Sequence, residues 1–202
     1  MLHLKKISGI LALVGCALAD EIINNTMYII SNAEQPSLSR GGLSPVGFRR
    51  ANECLPQLFS KMNIGKIIAC PPNDDDDPVC FETLDTARPI ADALGLSIDT
   101  SCGADENTDD NCVTDLAKAF EQTSSQAILI VWDIGAVDDL IKDSLDLNGN
   151  DAKDDGVHSD FITVVEKGLI TGVISQNCSG IDGIAPGTGT VRRSVDIFSD
   201  IY

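Results

Sequence analysis

The stretch that decides the fold is Met27–Pro36, which reads MYIISNAEQP. Its first four residues are apolar and indicate a buried strand, which gives way to polar residues from Ser31 onward. Further along, Ser44 followed by Pro45 is the pattern of a helix N-cap and a first helical residue. We therefore predict a strand, a polar loop and a helix, in that order.

The rest of the chain continues this alternation. The sequence AILIVW at residues 127–132 is apolar on both faces, which indicates a strand in the middle of a sheet covered on both sides. Gly95 is typical of the residue that ends a helix. The predicted strands cover residues 27–30, 66–69, 96–99, 127–132, 161–165 and 169–174. The predicted helices cover residues 45–58, 82–94, 113–122 and 134–145.

Alternating strands and helices predict an α/β fold with a mostly parallel sheet flanked by helices on both faces. The last two strands should pair antiparallel through a turn at Lys167-Gly168. Ligands of such sheets bind beyond the carboxyl ends of the strands. We therefore expect residues 31–36 to meet the segment that starts at Asp133, after Trp132.

The N-terminus has the three parts of a secretory signal over residues 1–19. They are the basic Lys5 and Lys6, an apolar stretch, and a small-x-small cleavage site at Ala17–Ala19. No later apolar run reaches the roughly 20 residues of a membrane-spanning helix. An alternative is a bacterial lipoprotein box at Leu13–Cys16. We expect a secreted, extracellular protein that keeps no membrane anchor once the signal is removed, with residues 20–202 as a single domain.

Removal of the signal would leave six cysteines, an even number that favours disulfides over metal or redox chemistry in a secreted chain. Six cysteines allow many pairings, and the sequence alone does not choose among them. Two pairs each enclose a short polar loop and are favoured as local bridges, which leaves one further pair. The favoured set is Cys70 with Cys80, Cys102 with Cys112, and Cys54 with Cys178.

The formal net charge is −17. A negative net charge of this size argues against nucleic acid, anionic membranes and polyanionic substrates as partners, because long-range repulsion opposes their approach.

Two N-glycosylation acceptor patterns occur, Asn24-Asn25-Thr26 and Asn177-Cys178-Ser179. The second contains a cysteine expected in a disulfide, so Asn24 is the favoured acceptor and Asn177 the weaker one.

The stretch Met27–Pro36, together with GLSPVGFRRA at residues 42–51, resembles the histidine phosphatase superfamily (phosphoglycerate mutase-like), in particular small secreted fungal members. In those proteins the strand ends in Arg-His-Ala-Glu-Lys-Pro and is followed by Gly-Leu-Ser-x-x-Gly-x-x-Arg-Ala. The resemblance implies the fold of that superfamily. It also implies that Ser31 stands at the arginine position, Asn32 at the position of the nucleophilic histidine, and Glu34 at the motif glutamate.

The second histidine of the superfamily follows the central strand, where the fungal relatives read Trp-Glu-His. This chain reads Trp132-Asp133-Ile134, so isoleucine takes the histidine position. A further pocket arginine is expected in the loop that here reads PPNDDDDP at residues 71–78, without a cation. A carboxamide offers no nitrogen lone pair for attack at neutral pH. The resemblance therefore implies a pseudoenzyme that has lost phosphomonoester hydrolysis.

Some residues remain candidates for binding a ligand in this degenerate pocket: Ser31, Asn32, Glu34, Arg40 and Trp132. Arg40 is a candidate to approach the pocket mouth, with a location away from the pocket as the favoured alternative. Arg49 and Arg50 should lie on a solvated helix face, and Glu34 should either cap a backbone N–H or keep its family role.

Two acidic stretches, at residues 74–77 and 146–151, suggest calcium. The second lacks the glycine turn and the bidentate glutamate of a calcium loop, because Asp151 and Val157 take those places. We expect no metal and no cofactor.

Taken together, the sequence favours a secreted binding or interaction protein with an unidentified protein or small-molecule partner. Alternatives are a divergent phosphatase that uses His158 or a carboxylate, and a small-molecule or cation binder that reuses the pocket.

Overall fold

A computed structural model describes residues 22–36, 41–73, 79–104, 108–147 and 159–183. Its six strands are β1 (Met27–Ser31), β2 (Ile64–Ala69), β3 (Ile98–Asp99), β4 (Ala127–Trp132), β5 (Phe161–Glu166) and β6 (Leu169–Ser175). Its α-helices are α1 (Pro45–Arg49), α2 (Leu55–Phe59), α3 (Thr83–Leu94), α4 (Cys112–Glu121) and α5 (Val137–Asp139). Two π-helical segments, Arg50–Cys54 and Leu140–Ser144, follow α1 and α5. The predicted signal segment lies outside the described residues.

The six strands form one sheet in the order β3-β2-β4-β1-β5-β6. The pairs β2–β3, β2–β4 and β1–β4 are parallel, whereas β5 pairs antiparallel with both β1 and β6. Every residue of β4 is buried, as expected of a central strand with apolar side chains on both faces. The predicted mostly parallel α/β architecture is confirmed.

A hydrophobic core lies on each face of the sheet. On one face Ile29, Ile130 and Trp132 pack in a cluster with residues of α4, α5 and the second π-helical segment. On the other face Ile30 and Val131 pack in a cluster with residues of α2 and α3. Neighbouring residues of one strand thus serve opposite cores, because successive side chains of a strand point to opposite faces.

The helix predicted over residues 45–58 starts where expected, since the Ser44 side chain accepts a hydrogen bond from Gly47 N at 3.1 Å. It is not a uniform α-helix. Pro56 has no N–H to donate to the carbonyl four residues earlier, and just before it the Leu55 N–H donates instead to Arg50 O, five residues back. The backbone hydrogen bonds therefore span five residues in the π-helical segment before the helix returns to α geometry at Leu55.

The helix predicted over residues 134–145 begins later than expected, at Val137. The Asp133 carboxylate accepts a hydrogen bond from Gly135 N at 2.8 Å, and Ala136 N donates to Asp133 O at 3.1 Å. These bonds fold residues 134–136 into a turn. The side chain at position 134 is therefore presented by a turn directly beyond β4.

Three disulfides join the described cysteines: Cys54–Cys178, Cys70–Cys80 and Cys102–Cys112. They are the pairs that the sequence favoured. The first closes a separation of 124 residues and links the first π-helical segment to the loop after β6. A bridge of this kind typically stabilises a domain by about 2–4 kcal/mol, mainly by restricting the unfolded chain. None of the helices in the described ranges has both the length and the apolar character needed to cross a membrane.

Candidate functional site

The carboxyl ends of β1 and β4 meet through Asn32. Its backbone N–H donates to Trp132 O at 2.8 Å, and its side-chain oxygen accepts a hydrogen bond from Ile134 N at 2.9 Å. Its side-chain nitrogen donates to Ala33 O at 3.1 Å. The residue is only 1% exposed, so both ends of the carboxamide are bound to backbone inside the protein. The expected meeting of these two segments is confirmed.

Ser31 and Ile134, the two residues that Asn32 adjoins in this site, differ in their exposure to solvent. Ser31 is buried, and its hydroxyl donates a long hydrogen bond of 3.4 Å to Asn32 O. Ile134 is 39% exposed at the mouth of the site. A buried hydroxyl carries no charge, and an aliphatic side chain has no proton to transfer. Neither residue supplies electrostatic or acid–base chemistry.

Glu34 forms a two-pronged ion pair with Arg50. Arg50 Nη2 donates to Glu34 Oε1 at 2.7 Å, and Arg50 Nε donates to Glu34 Oε2 at 3.0 Å. The remaining terminal nitrogen of Arg50 donates to Gln176 at 2.8 Å and to Asp182 at 2.7 Å. Burial works to lower the pKa of Arg50, but the Glu34 and Asp182 carboxylates outweigh it and hold that pKa above its ordinary value.

The expectation that Arg49 and Arg50 share a solvated face is wrong for Arg50. The Arg49 side chain is 46% exposed and pairs with Glu53 at 3.2 Å, whereas the Arg50 side chain is only 1% exposed. Adjacent helical residues point about 100° apart, so one of two neighbouring arginines can face the core while the other faces water. The alternative in which Glu34 caps a backbone N–H is likewise not what the structure has, because its carboxylate binds Arg50.

Gly47 allows this ion pair to form. A Cβ atom at this position would lie 2.3 Å from Glu34 O, so only glycine permits α1 to approach the loop after β1 so closely. The same carbonyl accepts a hydrogen bond from Ser44 N at 2.8 Å. The motif glycine, serine and arginine thus all serve to hold Glu34.

Two further buried carboxylates stand at this edge of the sheet. Asp133 Oδ2 accepts a hydrogen bond from Cys80 N at 2.9 Å. Glu82, which is 5% exposed, accepts from Gln35 Nε2 at 2.7 Å and from Gly42 N at 3.0 Å. Sequence reasoning placed Glu82 only at the start of a helix. No local pattern identifies its role, because its partners come from a different part of the chain.

Burial is the main cause that raises the pKa of Glu82 above its ordinary value. The hydrogen bond from Gly42 N works in the opposite direction, and the carboxylates of Asp133 and Asp85 raise the pKa further. Within the described part of the chain, Arg50 is the buried cation of this region, and all of its nitrogens are already engaged. The described site is therefore acidic and has no spare cationic donor for a phosphate.

Trp132 belongs to the core and not to an open pocket around Asn32. It is buried and packs with the cluster on the α4 side of the sheet. It also borders a cavity of about 220 Å³ whose lining includes neither Asn32 nor Ile134. Across the described ranges, no group of histidine, cysteine, aspartate or glutamate side chains is arranged to hold a metal ion.

Several sequence-based expectations concern residues outside the described ranges. They are the approach of Arg40 to the mouth, the acidic residues 74–77, most of the stretch 146–151, and the alternative nucleophile His158. They stay predictions.

Comparison with known proteins gives structural similarity alone. No family model and no curated protein matches the sequence. The structure is similar to that of the protein histidine phosphatase SixA complexed with tungstate, with a TM-score of 0.55 and 14% identity over 75% of this chain and 97% of that chain. It is also similar to the putative phosphohistidine phosphatase SixA from Agrobacterium tumefaciens, with a TM-score of 0.48 and 17% identity over 75% of this chain and 98% of that chain.

The chain therefore has the phosphoglycerate mutase-like fold that histidine phosphatases share. At these identities the similarity concerns the fold, and the function has to be argued from the site.

Proposed function

We propose that this protein is a secreted, catalytically inactive member of the histidine phosphatase fold that acts by binding a partner. The observation that carries the proposal is the bonding of the Asn32 carboxamide, which the resemblance in sequence assigns to the position of the superfamily's nucleophilic histidine. Its oxygen and its nitrogen are both hydrogen-bonded to backbone. The position serves structure and has no free atom with which to attack a phosphoryl group.

The residues at the neighbouring motif positions also support a loss of phosphoryl transfer. The superfamily's first-motif arginine grips phosphate with a charged fork, whereas buried Ser31 offers one neutral hydroxyl. Ile134 replaces a histidine that would stabilise the transferring group. Loss of a single such electrostatic donor typically lowers a rate by a factor of about 10²–10³. Loss of the nucleophile as well removes the route through a phosphohistidine.

The charge of the site opposes phosphate binding. The carboxylates of Glu82 and Asp133 are buried close to the mouth, and their mutual repulsion contributes to the raised pKa of Glu82. A phosphate dianion would add negative charge to a region where no described cation is free. A neutral or positively charged group on a partner is better suited to this edge of the sheet.

A binding role is supported by exposed apolar side chains outside the pocket. Leu169, Val173 and Ile174 on the edge strand β6 are all exposed, and the exposed Ile22 lies against the turn before that strand at Gly168. The adjacent Val173 and Ile174 point to opposite faces of the sheet, and exposed apolar side chains along an edge strand are a feature of surfaces that bind another chain. They support a protein partner over a small molecule held in the former active site.

Hydrolysis of an aryl phosphate by the purified protein, measured from acidic to neutral pH, tests the proposal. The native chain should show no turnover above background, and Asn32→Ala should be indistinguishable from it. The triple variant Ser31→Arg, Asn32→His, Ile134→His, checked for folding by circular dichroism, shows whether the pocket still supports the superfamily's reaction. Native turnover that disappears in His158→Ala would overturn the proposal in favour of a phosphatase with a relocated site.

A further inference from the structure

A second cavity lies between α2 and the loop that follows β6, and its lining does not include Asn32. Its volume is about 400 Å³, within the range of sites that hold small ligands. One wall carries Gln57, Leu58 and Lys61, and the other carries Asn177 and Ser179. We call this cavity the α2 cleft.

The disulfide Cys54–Cys178 ties the two walls of the α2 cleft together, since each wall contributes one of the cysteines. One covalent bond therefore links the helical side of the cleft to the loop side. Gln57 and Lys61 are exposed, and their side chains make no hydrogen bond with the rest of the described chain. The helix wall thus offers unused donors and acceptors to a polar ligand.

Asn177 and Ser179, the ends of the second glycosylation pattern, both line the α2 cleft. Both residues are exposed. Asn177 has a backbone φ of 52°, in the left-handed region that asparagine tolerates better than most residues. Its backbone N–H donates to Ser175 Oγ, while its carboxamide has no hydrogen-bond partner within the described ranges. The side-chain nitrogen that a glycan requires is therefore available.

Asn24, the acceptor that the sequence favoured, is in a different situation. Its side-chain nitrogen donates both to Ile22 O and to the carboxylate of Glu121, and its backbone N–H donates to the same carboxylate at 3.0 Å. A sugar on that nitrogen would replace one of its two hydrogens and compete with Glu121 for space. The contacts of the two residues thus reverse the order that the sequence suggested.

We propose that Asn177 carries an N-linked glycan and that the first N-acetylhexosamine of this glycan lies in the α2 cleft. The hydroxyl and acetamido groups of the sugar would hydrogen-bond to Gln57 and Lys61. Its less polar ring face would lie near Leu58 and Ile181. The cleft would then be a binding site for the protein's own modification.

The modification is a group transfer from a lipid diphosphate-linked oligosaccharide. A bond forms between Asn177 Nδ2 and the anomeric carbon, and the bond from that carbon to the diphosphate oxygen breaks. The diphosphate leaves with the bonding electrons, and the amide nitrogen loses one proton to a base of the transferase. Because Cys178 is buried in a disulfide with Cys54, we expect transfer to precede closure of that bond.

The test is expression behind a heterologous cleavable signal in a eukaryotic secretory host, with intact-mass measurement before and after amidase removal of N-glycans. Ser179→Ala removes the acceptor pattern without changing Asn177, and Ser179→Thr keeps it. Thr26→Ala is the matched change at Asn24. We expect one glycan on the native chain, on Ser179→Thr and on Thr26→Ala, and none on Ser179→Ala. A glycan that persists in Ser179→Ala, or a secreted native chain without one, would overturn the assignment.

The melting temperature tests whether the first sugar of the glycan lies in the α2 cleft. Glycosylated Ser179→Thr should melt about 2–4 °C above Ser179→Ala, and the additional change Gln57→Ala should reduce that difference. Equal melting temperatures would show that the sugar does not contact the cleft. The inference rests on the secreted location within the proposed function, but the heterologous signal makes the result independent of the native signal. The phosphatase assay can fail without affecting it, so the two proposals are separately falsifiable.

Discussion

The side-chain oxygen of Asn32 accepts a hydrogen bond of 2.9 Å from the backbone N–H of Ile134, which joins the carboxyl ends of two neighbouring parallel strands. The resemblance in sequence to the histidine phosphatase superfamily assigns these two positions to the histidines of that superfamily's reaction. Here one residue anchors the backbone of the other. Under the proposed function, the two replacements therefore have a structural use, because together they join the ends of β1 and β4.

Asn32→Ala should destabilise the protein by about 1–3 kcal/mol, because it leaves Ile134 N and Ala33 O without their side-chain partner in a buried region. The measurement is urea denaturation followed by circular dichroism. Asn52→Ala is the matched control, since Asn52 is exposed and its side chain, among the described residues, bonds to Phe48 O one turn earlier. That control should stay within about 0.5 kcal/mol of the native chain. Equal losses in both variants would contradict the anchoring role.

Loss of the buried ion pair between Glu34 and Arg50 should lower the free energy of unfolding more than Asn32→Ala does. Glu34→Ala should cost about 3 kcal/mol, the low end for a broken buried pair, because the guanidinium of Arg50 loses its two-pronged partner but keeps Asp182. Glu53→Ala breaks the neighbouring pair with Arg49, in which both side chains are about half exposed, and should cost only about 0–1 kcal/mol. The measurement is the free energy of unfolding of the two variants, obtained by denaturant titration and compared with that of the native chain. If Glu34→Ala were as mild as Glu53→Ala, the ion pair would not organise the site.

Glu82 should make the stability of the protein depend on pH. Its raised pKa means that the folded state binds a proton more readily than the unfolded chain. Its contribution to the free energy of unfolding is therefore greatest below the unfolded pKa and is lost as the pH rises through the folded pKa. Glu82→Gln removes this titration. Its new amide can still accept from Gly42 N and can donate to Gln35 once that side chain turns its own amide around.

The measurement for Glu82→Gln is the free energy of unfolding of variant and native chain from acidic to neutral pH. The difference between the two should change in favour of the variant as the pH rises, because the variant lacks a carboxylate whose charge is disfavoured by burial and by Asp133. Parallel pH profiles would show that the Glu82 carboxylate is not disfavoured in the folded state.

Patterns carried by neighbouring residues allowed most of the fold to be predicted. The apolar run at residues 127–132 gave the central strand, and Ser44 with Pro45 gave the first helix start. The meeting of the β1 and β4 ends followed from the rule that parallel strands end at the same edge. These features depend on local composition and on general geometry, so one sequence was sufficient for them.

The parts that could not be predicted depend on contacts between distant residues. Arg50 looks like any helical arginine until Glu34, Gln176 and Asp182 are brought to it from separate segments. Glu82 is likewise defined by partners on another loop. The π-helical segment before α2 was missed for another reason, because Pro56 was not recognised as a break in the hydrogen-bond ladder.

Gly47 provides the last prediction, since it tests whether the approach of α1 to the loop after β1 holds the site together. Gly47→Ala would place a Cβ atom 2.3 Å from Glu34 O and 2.9 Å from Glu34 N, and both atoms are backbone and cannot turn aside. The helix would have to move away, which would lengthen the hydrogen bond from Ser44 N to Glu34 O and disturb the pair with Arg50. Overpacking of this kind typically costs about 1–3 kcal/mol.

Gly172→Ala is the matched control for Gly47→Ala, because a Cβ at position 172 meets nothing within 4 Å. Denaturant unfolding should show a clear loss for Gly47→Ala and almost none for Gly172→Ala. A double variant, Gly47→Ala with Glu34→Ala, should lose less than the sum of the two single losses, because both changes disrupt the same ion pair. Strict additivity would mean that the close approach of α1 and the Glu34–Arg50 pair are independent features.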